Sequence, residues 1–243
     1  MDSEVWDDET ARTYDDDVAE MSSPEVVGPT VDLLAELAAG GRALEFAVGT
    51  GRIAIPLAER GVDVVGIELS QPMIDQLHSK PGNERIRAIQ GDMSTTRADG
   101  SFRLVYLVFN TITNLLTQDA QVACFENAAA HLEPGGRFVV ETFVPSLQRL
   151  PVGERFVPFD VSDFHIGIDE YDVANQMLVS HHVSTRPDGV TRSSGRFRYA
   201  WPAEYDLMAR IAGMQLSDRW ADWQRTSFTA TSTSHVSVWR TSD

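Results

Sequence analysis

A run of ten residues, ALEFAVGTGR at positions 43–52, interrupts an apolar segment with two closely spaced glycines. A chain that reverses tightly at the end of a buried strand needs residues without side chains, and Gly49 and Gly51 also allow a ligand to approach the backbone. With Ala54 at the right spacing, the run satisfies the loose G-x-G-x-x-G/A pattern of dinucleotide sites. The loop predicts a ligand site, but its letters alone leave open a nicotinamide dinucleotide, a methyl donor or no ligand at all.

Acidic residues at three successive strand ends narrow the choice of ligand. Glu45 precedes Gly49 by four residues, where a carboxylate can face the ammonium group of a bound amino acid and would repel a pyrophosphate. Glu68 ends the next predicted strand, 19 residues after Gly49, and suits two ribose hydroxyls in either kind of ligand. Asp92 and Met93 follow the third strand and offer a carboxylate to an exocyclic amine and a soft side chain to a purine face. Adenine fits that third place.

The elements that must position these residues alternate between strands and helices. A helical pattern runs from about Glu25 to Gly40-Gly41, and strands are then predicted at ALEFAV, VDVVGIELS, RIRAIQGDM, FRLVYLVFN and RFVVETFV. Helices are predicted between them at RIAIPLAERG, QPMIDQLHSK and DAQVACFENAAAHLEPGG. Strands separated by such helices indicate βαβ units and a parallel sheet. We therefore predict an α/β fold, with a doubly wound Rossmann-like core over residues 25–146.

After Pro145 the sequence pattern changes from alternating strands and helices to one that is typical of antiparallel strands. Alternating runs such as QMLVSHHVST and VTRSSGRFRYA flank a turn at Pro187-Asp188-Gly189, which is typical of hairpins. A helix, PAEYDLMARIAGM, and two strand candidates, LSDRWADW and SHVSVWR, follow. We predict an inserted antiparallel β-subdomain at 147–200 that caps the substrate, and the last helix and closing strands of the core at 201–243.

Composition excludes several classes of partner. The formal net charge of −16 and the pI near 4.7 disfavour nucleic acid and anionic membranes and favour a cationic small molecule. No apolar run is long enough to span a bilayer, and Cys124 is the only cysteine, so no disulfide or thiolate metal cluster can form. We expect a cytoplasmic protein without nucleic acid or membrane as a partner, and leave homo-oligomerisation open.

Taken together, these motifs resemble those of class I S-adenosylmethionine-dependent methyltransferases over essentially the whole chain. E-F-A-V-G-T-G matches the first motif of that family, Ile67-Glu68-Leu69-Ser70 its ribose acid, Gly91-Asp92-Met93 its adenine contact and Leu132-Glu133-Pro134-Gly135-Gly136 the turn before strand five. The segment VFNTITNLL followed by an antiparallel insertion is similar to small-molecule N-methyltransferases of the glycine and aminosugar kinds. The resemblance implies S-adenosyl-L-methionine as the cofactor.

The resemblance also assigns roles to individual residues. Tyr14 resembles an N-terminal tyrosine that closes over the methionine end of the cofactor, which makes residues 1–24 a lid segment, with Trp6 as a second candidate for it. Asn114 stands where relatives often carry a histidine, five residues after Phe109, and an amide cannot act as a base near neutral pH. Tyr14 and Asn114 are therefore the expected catalytic residues, acting by alignment. The expected cofactor-binding residues are Tyr14, Glu45, Ala47, Gly49, Gly51, Arg52, Glu68, Leu69, Met73, Asp92, Met93, Phe109 and Asn110.

Methyl transfer from a sulfonium is an in-line displacement in which the protein aligns, desolvates and shields the reactants. A neutral amine needs only orientation, whereas a hydroxyl usually needs a base, so we expect an amine nitrogen of a secondary metabolite, as in antibiotic biosynthesis. The alternatives are an O-methyltransferase with a histidine base, a non-catalytic binding protein and, less favoured, an NAD-dependent oxidoreductase.

Histidines and acids outside the motifs are further candidates, and the acids of the insertion, Asp163, Asp169, Glu170 and Asp172, are interpreted as a solvated edge, with an acidic mouth as the alternative. His131 reads as structural, and His181 and His182 are adjacent on a strand, so only one of them can face a cleft. His165 is a similar candidate for a base. Asn110 with Asn114 is not the cluster of aspartate and asparagine that magnesium-assisted catechol methylation would need after the fourth strand, and we predict no metal.

Overall fold

The computed structural model describes residues 7–186 and 189–242; Trp6, Pro187 and Asp188 lie outside the described residues. The helices are α1 (Asp8–Asp17), α2 (Pro24–Ala38), α3 (Ala54–Glu59), α4 (Gln71–Ser79), α5 (Gln118–His131) and α6 (Pro202–Ile211). The strands are β1 (Ala43–Phe46), β2 (Val64–Glu68), β3 (Ile86–Gln90), β4 (Phe102–Leu107), β5 (Leu132–Phe143), β6 (Phe156–Val161), β7 (His165–Asp172), β8 (Met177–Arg186), β9 (Gly189–Arg198), β10 (Gln215–Trp220) and β11 (Ser234–Arg240).

In the described part of the chain the strands form two sheets. The central sheet has seven strands in the order β10-β11-β5-β4-β1-β2-β3, and the second sheet has four, β6-β7-β8-β9. Pairing is parallel from β5 through β4, β1 and β2 to β3, whereas β11 is antiparallel to both β5 and β10. The predicted α/β class, with a Rossmann-like sheet and an antiparallel insertion, is confirmed. The proposed domain boundaries remain predictions.

Alternation along the central strands divides the core into two layers. On β1, Ala43 packs with α2 and α3 on one face, while Leu44 and Phe46 pack with α5 and α6 on the other. All residues of β1 and β2 are buried, as expected for parallel strands covered by helices on both faces. Gly40 and Gly61 have positive φ angles just after α2 and α3, where the sequence predicted that these helices end.

The order of strands creates a crevice at one edge of the central sheet. The chain winds outward from β1 to β2 and β3 on one side and to β4 and β5 on the other, so the carboxyl ends of β1 and β4 meet at the topological switch point. The loop after β1 packs closely on β2, because a Cβ on Gly66 would lie 2.6 Å from the Cβ of Val48. The loop that carries Gly49 is therefore held directly over this crevice.

A buried arginine fastens the second sheet to the central domain. Arg198, at the end of β9, is 5% exposed and forms an ion pair with Glu204 of α6 at 2.7 Å. Its guanidinium also donates to Gln121 of α5 at 2.5 Å and to Gln176 before β8 at 3.0 Å. Removing one partner of a buried ion pair leaves an uncompensated charge, which costs about 3 to 5 kcal/mol. This network fixes where the second sheet sits.

Within the described residues, no helix is both long and apolar enough to cross a bilayer.

A buried histidine on β11 makes folding sensitive to pH. His235 is 0% exposed, its Nδ1 lies 2.8 Å from the Ser237 hydroxyl, and its Nε2 has no hydrogen-bond partner among the described residues. Burial, assisted by the Arg219 guanidinium, lowers the pKa of the His235 imidazole to about 3. The imidazole is therefore neutral in the folded protein over a pH range in which the unfolded chain binds a proton.

We predict that the free energy of unfolding decreases as the pH falls from about 6.5 towards about 3, because only the unfolded state protonates His235 in that window. This group contributes at most about 1.4 kcal/mol per pH unit. Urea unfolding at about pH 7.5 and about pH 5 should show a weaker pH dependence for His235→Gln than for the wild type. His78→Gln, on the exposed side of α4, is the matched control. Equal slopes for His235→Gln and the wild type would contradict the prediction.

Candidate active site

Three residues in the loop after β1 adopt left-handed backbone conformations. The φ angles are 53° at Ala47, 55° at Gly49 and 85° at Gly51. A Cβ on Gly51 would lie 3.0 Å from Ile55 Cδ1, so this glycine serves packing of the loop against α3. A Cβ on Gly49 would meet only the Ala47 carbonyl oxygen, at 4.0 Å, so the space beside Gly49 is open. The two predicted glycines therefore have different roles, and only Gly49 leaves room for a ligand.

Two adjoining cavities lie over this loop. The first, of about 360 Å³, is called the inner cavity and is lined by Tyr14, Ala47, Gly49, Glu68, Met73, Thr111 and Asn114. The second, of about 330 Å³, is called the loop cavity, and its lining includes Tyr14, Glu45, Ala47, Gly49, Thr50, Arg52, Phe109 and Thr111. The shared residues Tyr14, Ala47, Gly49 and Thr111 make them one cleft. Both expected catalytic residues and most of the expected cofactor-binding residues meet in this cleft.

Glu68 bridges two loops at the bottom of the cleft. Its Oε2 accepts a hydrogen bond from the Gly49 N–H and its Oε1 accepts one from the Ser70 N–H, both at 2.9 Å. The residue is 5% exposed, and burial raises the pKa of its carboxyl although these N–H groups partly oppose the shift. The Ser70 hydroxyl in turn accepts from Met73 N–H at 3.3 Å and caps α4, as its sequence position predicted. Glu68 is thus a fixed acceptor beside the open space at Gly49.

Glu45 lies at the end of β1 with 2% exposure, and its Oε2 accepts a hydrogen bond from the Tyr106 hydroxyl at 2.9 Å. Burial raises the pKa of the Glu45 carboxyl to about 8, although the Tyr106 hydrogen bond and the nearby charge of Arg52 act in the opposite direction. A cationic ligand group in the loop cavity would favour the charged carboxylate. This environment suits an ammonium group.

The N-terminal helix α1 covers the cleft and is attached to the glycine loop. Asp15 accepts a hydrogen bond from the Thr50 hydroxyl at 2.7 Å and forms an ion pair with Lys80 at 2.6 Å. The Arg52 guanidinium donates to the Met21 carbonyl oxygen at 3.0 Å. These contacts place Tyr14 in the lining of both cavities, where burial raises the pKa of its phenol and keeps it protonated at neutral pH.

The end of β4 is strained and locked to β5. Phe109 and Asn110 have φ angles of 59° and 61°, a conformation that costs non-glycine residues about 1 to 3 kcal/mol each. The Phe109 N–H donates to Glu141 Oε2 at 2.9 Å, and Asn110 Oδ1 accepts from the Phe143 N–H at 2.8 Å. The Arg52 guanidinium lies 4.6 Å from the centre of the Phe109 ring. These contacts hold the Phe109 ring at the edge of the loop cavity.

Other expected cofactor residues are not among the described residues that line the cleft. Asp92 Oδ1 accepts from the backbone N–H and the hydroxyl of Ser94, each at 2.7 Å. Met93 is packed in the core at 3% exposure, and its carbonyl oxygen accepts from Asn127 at 2.7 Å. Leu69 is half-buried just after β2. Adenine recognition by Asp92, Met93 and Leu69 remains a prediction.

A third and larger cavity, of about 1,030 Å³, separates the second sheet from the edge of the central sheet. Phe109 lines both this large cavity and the loop cavity, and Asn110 faces the large one. The second sheet contributes Phe159, Asp169, Tyr171, Leu178, Ser180, His182 and Phe197. The sequence analysis did not predict these residues as a set, although the alternation along β7 and β8 places those of these two strands on one face.

His181 and His182 point to opposite faces of the second sheet, as the sequence predicted for neighbours on a strand. His182 lines the large cavity, where its Nδ1 lies 3.0 Å from His165 Nε2. His181 points away from it, with its ring nitrogens near Ser194 at 2.9 Å and Glu170 at 3.1 Å. His131 is structural, because its Nε2 accepts from the Ala98 N–H at 2.9 Å. His182 is thus the histidine of this pair that faces a cavity large enough for a ligand.

Known proteins share this architecture. Residues 43–136 match the model of a methyltransferase domain family. The CcbJ methyltransferase from Streptomyces caelestis is 38% identical, with 88% of this chain and 89% of that chain covered and a TM-score of 0.80. The cypemycin N-terminal methyltransferase from a Streptomyces species is 29% identical over 89% of both chains. CalS10, an amino pentose methyltransferase from Micromonospora echinaspora solved with S-adenosylmethionine bound, shares the fold at 21% identity and a TM-score of 0.67, over 89% of this chain and 90% of its own.

The glycine loop is common to several cofactor classes, so it did not by itself decide between a dinucleotide and a methyl donor. The similarity to CcbJ covers 88% of this chain, and the family match spans the loop, the ribose acid and the turn before the apolar part of β5. The alternative of an NAD-dependent oxidoreductase is therefore wrong, and the chain belongs to the S-adenosylmethionine-dependent methyltransferases.

Proposed function

We propose that this enzyme methylates an amine nitrogen of a small molecule. The observation that carries the proposal is the chemistry of the inner cavity, whose titratable lining residues in the described part of the chain are Tyr14 and Glu68. Tyr14 is protonated at neutral pH, and both oxygens of Glu68 already accept backbone N–H groups. Asn114 cannot act as a base there. A site without a free base suits a neutral amine, whose lone pair is ready to react.

The names of the similar proteins support the same class of acceptor. One relative is an N-terminal methyltransferase of cypemycin, and CalS10 is described as an amino pentose methyltransferase involved in calicheamicin biosynthesis. We propose by analogy that this chain acts on an amine of a secondary metabolite, in antibiotic biosynthesis. The net charge of −16 agrees with a cationic substrate, because it would attract ammonium groups to the protein.

The cleft fits S-adenosylmethionine by the chemistry of its donor set. Glu68 would accept hydrogen bonds from the ribose hydroxyls, Glu45 would face the ammonium of the methionine part, and the open space at Gly49 would admit the ligand next to the backbone. When bound, the cofactor supplies the electrophilic methyl group on its sulfonium. The chain itself aligns the two reactants and excludes water.

Tyr14 and Asn114 are proposed to orient the acceptor. Both side chains line the inner cavity, one from α1 and the other from the 3₁₀ turn Thr111–Asn114. The Asn114 side-chain oxygen would accept a hydrogen bond from the amine and direct its lone pair, while Tyr14 would close the cavity from the N-terminal side. Closure depends on the Asp15 contacts with Thr50 and Lys80. Segment 1–24 is therefore proposed as a lid over the cofactor.

His182 gives the O-methyltransferase alternative a specific observation in its favour, because this imidazole lines the large cavity. Burial and the neighbouring His165 lower the pKa of His182, so it is neutral and able to accept a proton near pH 7. Both of its ring nitrogens are engaged, Nδ1 by His165 at 3.0 Å and Nε2 by Ser180 at 3.2 Å. A panel of paired amines and alcohols, assayed for formation of S-adenosylhomocysteine, separates the two functions. Product from the alcohols alone would overturn N-methylation.

We predict that Glu68→Gln weakens binding of S-adenosylhomocysteine more than tenfold. The substitution removes the charge behind up to two hydrogen bonds to the ribose, each worth about 1.5 to 3 kcal/mol. Isothermal titration gives the Kd, and thermal unfolding without ligand checks the fold. Glu59→Gln makes the same chemical change on the exposed side of α3 and should bind normally. An unchanged Kd for a folded Glu68→Gln protein would exclude Glu68 from the ribose site.

Cofactor binding should also depend on the protonation of Glu45. Its carboxyl, with a pKa of about 8 in the free protein, must lose its proton to pair with the ammonium group. Affinity for S-adenosylhomocysteine should therefore rise with pH between about 6 and about 7.5, by up to about tenfold per unit. Titration in buffers of different ionisation enthalpy should detect proton release. Glu45→Gln should bind more weakly and with less pH dependence; the wild-type pH dependence in that variant would assign the proton to another group.

Tyr14→Phe and Asn114→Ala should each lower kcat about ten- to a hundredfold through lost alignment, with no new pH dependence. Kinetics with a saturating amine acceptor measure the effect, and titration with S-adenosylhomocysteine separates it from loss of cofactor. Wild-type kinetics for Tyr14→Phe, together with an inactive His182→Gln and a rate that follows an imidazole pKa, would point instead to a hydroxyl acceptor and a histidine base.

A further inference from the structure

One face of the second sheet forms the outer wall of the large cavity. Antiparallel register pairs Asp169 with Ser180, and Leu178 with Phe197, so that these residues stand side by side across β7, β8 and β9. They face Phe109 and Phe143 of the central domain across the cavity. This wall and the end of β4 enclose a space that connects to the cofactor cleft at Phe109.

Glycines let aromatic rings lie against the backbone of this wall. A Cβ on Gly167 would lie 2.2 Å from the ring of Phe159, and a Cβ on Gly195 would lie 2.8 Å from the ring of Phe197. Any other residue at these two places would push the rings into the cavity. The rings of Phe159 and Phe197 thus lie flat on the wall and suit a ligand with a ring-bearing or otherwise apolar body.

Asp169 is the one carboxylate among the described residues that line this wall. It is half-buried, and no lysine or arginine in the described ranges forms an ion pair with it. Burial raises the pKa of its carboxyl, although a hydrogen bond with Ser180 and the neighbouring imidazoles oppose the shift. The adjacent Glu170 is compensated, since it pairs with Arg155 at 3.2 Å and with His181 at 3.1 Å on the opposite face of β7.

A hydrogen-bonded chain keeps Asp169 and Ser180 in place. The Ser180 hydroxyl lies 3.2 Å from His182 Nε2, His182 Nδ1 lies 3.0 Å from His165 Nε2, and His165 Nδ1 lies 2.5 Å from Asp160. Because this chain occupies the polar atoms around Asp169, the carboxylate is left as the charged group that faces the cavity from this wall. A half-buried carboxylate in such a place is stabilised by a cation supplied from outside the protein.

We infer that the acceptor carries, on an apolar, ring-bearing body, a protonated nitrogen besides the neutral amine that is methylated, and that Asp169 is the specificity-determining residue that binds this second nitrogen in the large cavity. The inference rests on the proposed function, because it takes the large cavity to hold the body of an acceptor whose reacting amine lies in the inner cavity. The carboxylate accepts N–H hydrogen bonds and offsets the positive charge, while the aromatic wall contacts the body of the ligand. Asp169 therefore selects a protonated nitrogen over a hydroxyl at this second position when the acceptor binds, and this role is separate from alignment of the reacting amine by Tyr14 and Asn114.

The test compares binding of two matched probes to the protein saturated with S-adenosylhomocysteine. At about pH 7, 2-phenylethylamine is a cation, whereas 2-phenylethanol has the same body without the charge. The wild type should bind the amine at least tenfold more tightly than the alcohol. Asp169→Asn should remove this preference, and Glu170→Gln, an equivalent change on the outer face of the same strand, should keep it. Affinity for S-adenosylhomocysteine should be the same in all three proteins.

Two results would overturn the inference: a wild type that does not prefer the amine, or an Asp169→Asn protein that still does. In turnover assays with an acceptor that carries a basic nitrogen besides the one that is methylated, Asp169→Asn should raise KM at least tenfold and change kcat less. Failure of the proposed function is distinguishable from failure of the inference. Methylation of oxygen acceptors alone would refute N-methylation, whereas N-methylation with an unaltered KM in Asp169→Asn would refute only the role of Asp169.

Discussion

The carboxylate of Glu68 sets the shape of the ligand cleft. By accepting the N–H groups of Gly49 and Ser70 at 2.9 Å each, it ties the loop after β1 to the end of β2. The left-handed turn at Ala47 and Gly49 is thereby fixed over the switch point of the sheet, and Ser70 is set to begin α4. A glutamine at this position would offer one acceptor oxygen to two N–H donors, so the turn favours an acid. The carboxylate that holds the loop in this shape also lies beside the open space at Gly49, where it can accept hydrogen bonds from a ligand.

Buried carboxylates define both halves of the proposed ligand site. Glu45 and Glu68 lie in the cofactor cleft and Asp169 in the large cavity, and burial raises the pKa of each. Removing a carboxylate from water is unfavourable unless hydrogen bonds or a cation offset the loss of hydration. Glu68 is satisfied by backbone N–H groups, whereas Glu45 and Asp169 gain most from a positively charged ligand. In a chain with a net negative charge, such sites favour positively charged groups both in the cofactor cleft and in the large cavity.

The order of elements and the first cleft followed from the sequence because both depend on local signals. The carboxyl ends of parallel strands lie at one edge of the sheet, so Glu45, Gly49 and Glu68 are close together there regardless of how the side chains pack. The large cavity did not follow, since its wall depends on the register of antiparallel strands. A slip of one residue would bring His181 to the cavity in place of His182. Met93 shows a second limit, because its place in the core depends on Asn127, which is distant in sequence.

Phe109 links the parts of the site that the fold builds separately. Its N–H is held by Glu141 of β5, the strand that leads on to the second sheet, and its ring lines both the loop cavity and the large cavity. On the cofactor side, the Arg52 guanidinium contacts this ring and also reaches the carbonyl oxygen of Met21 in the N-terminal segment. The left-handed strain at Phe109 persists because these neighbours determine its position from several directions. Through Arg52, Phe109 thus joins the N-terminal segment, the loop cavity and the large cavity in one continuous set of contacts.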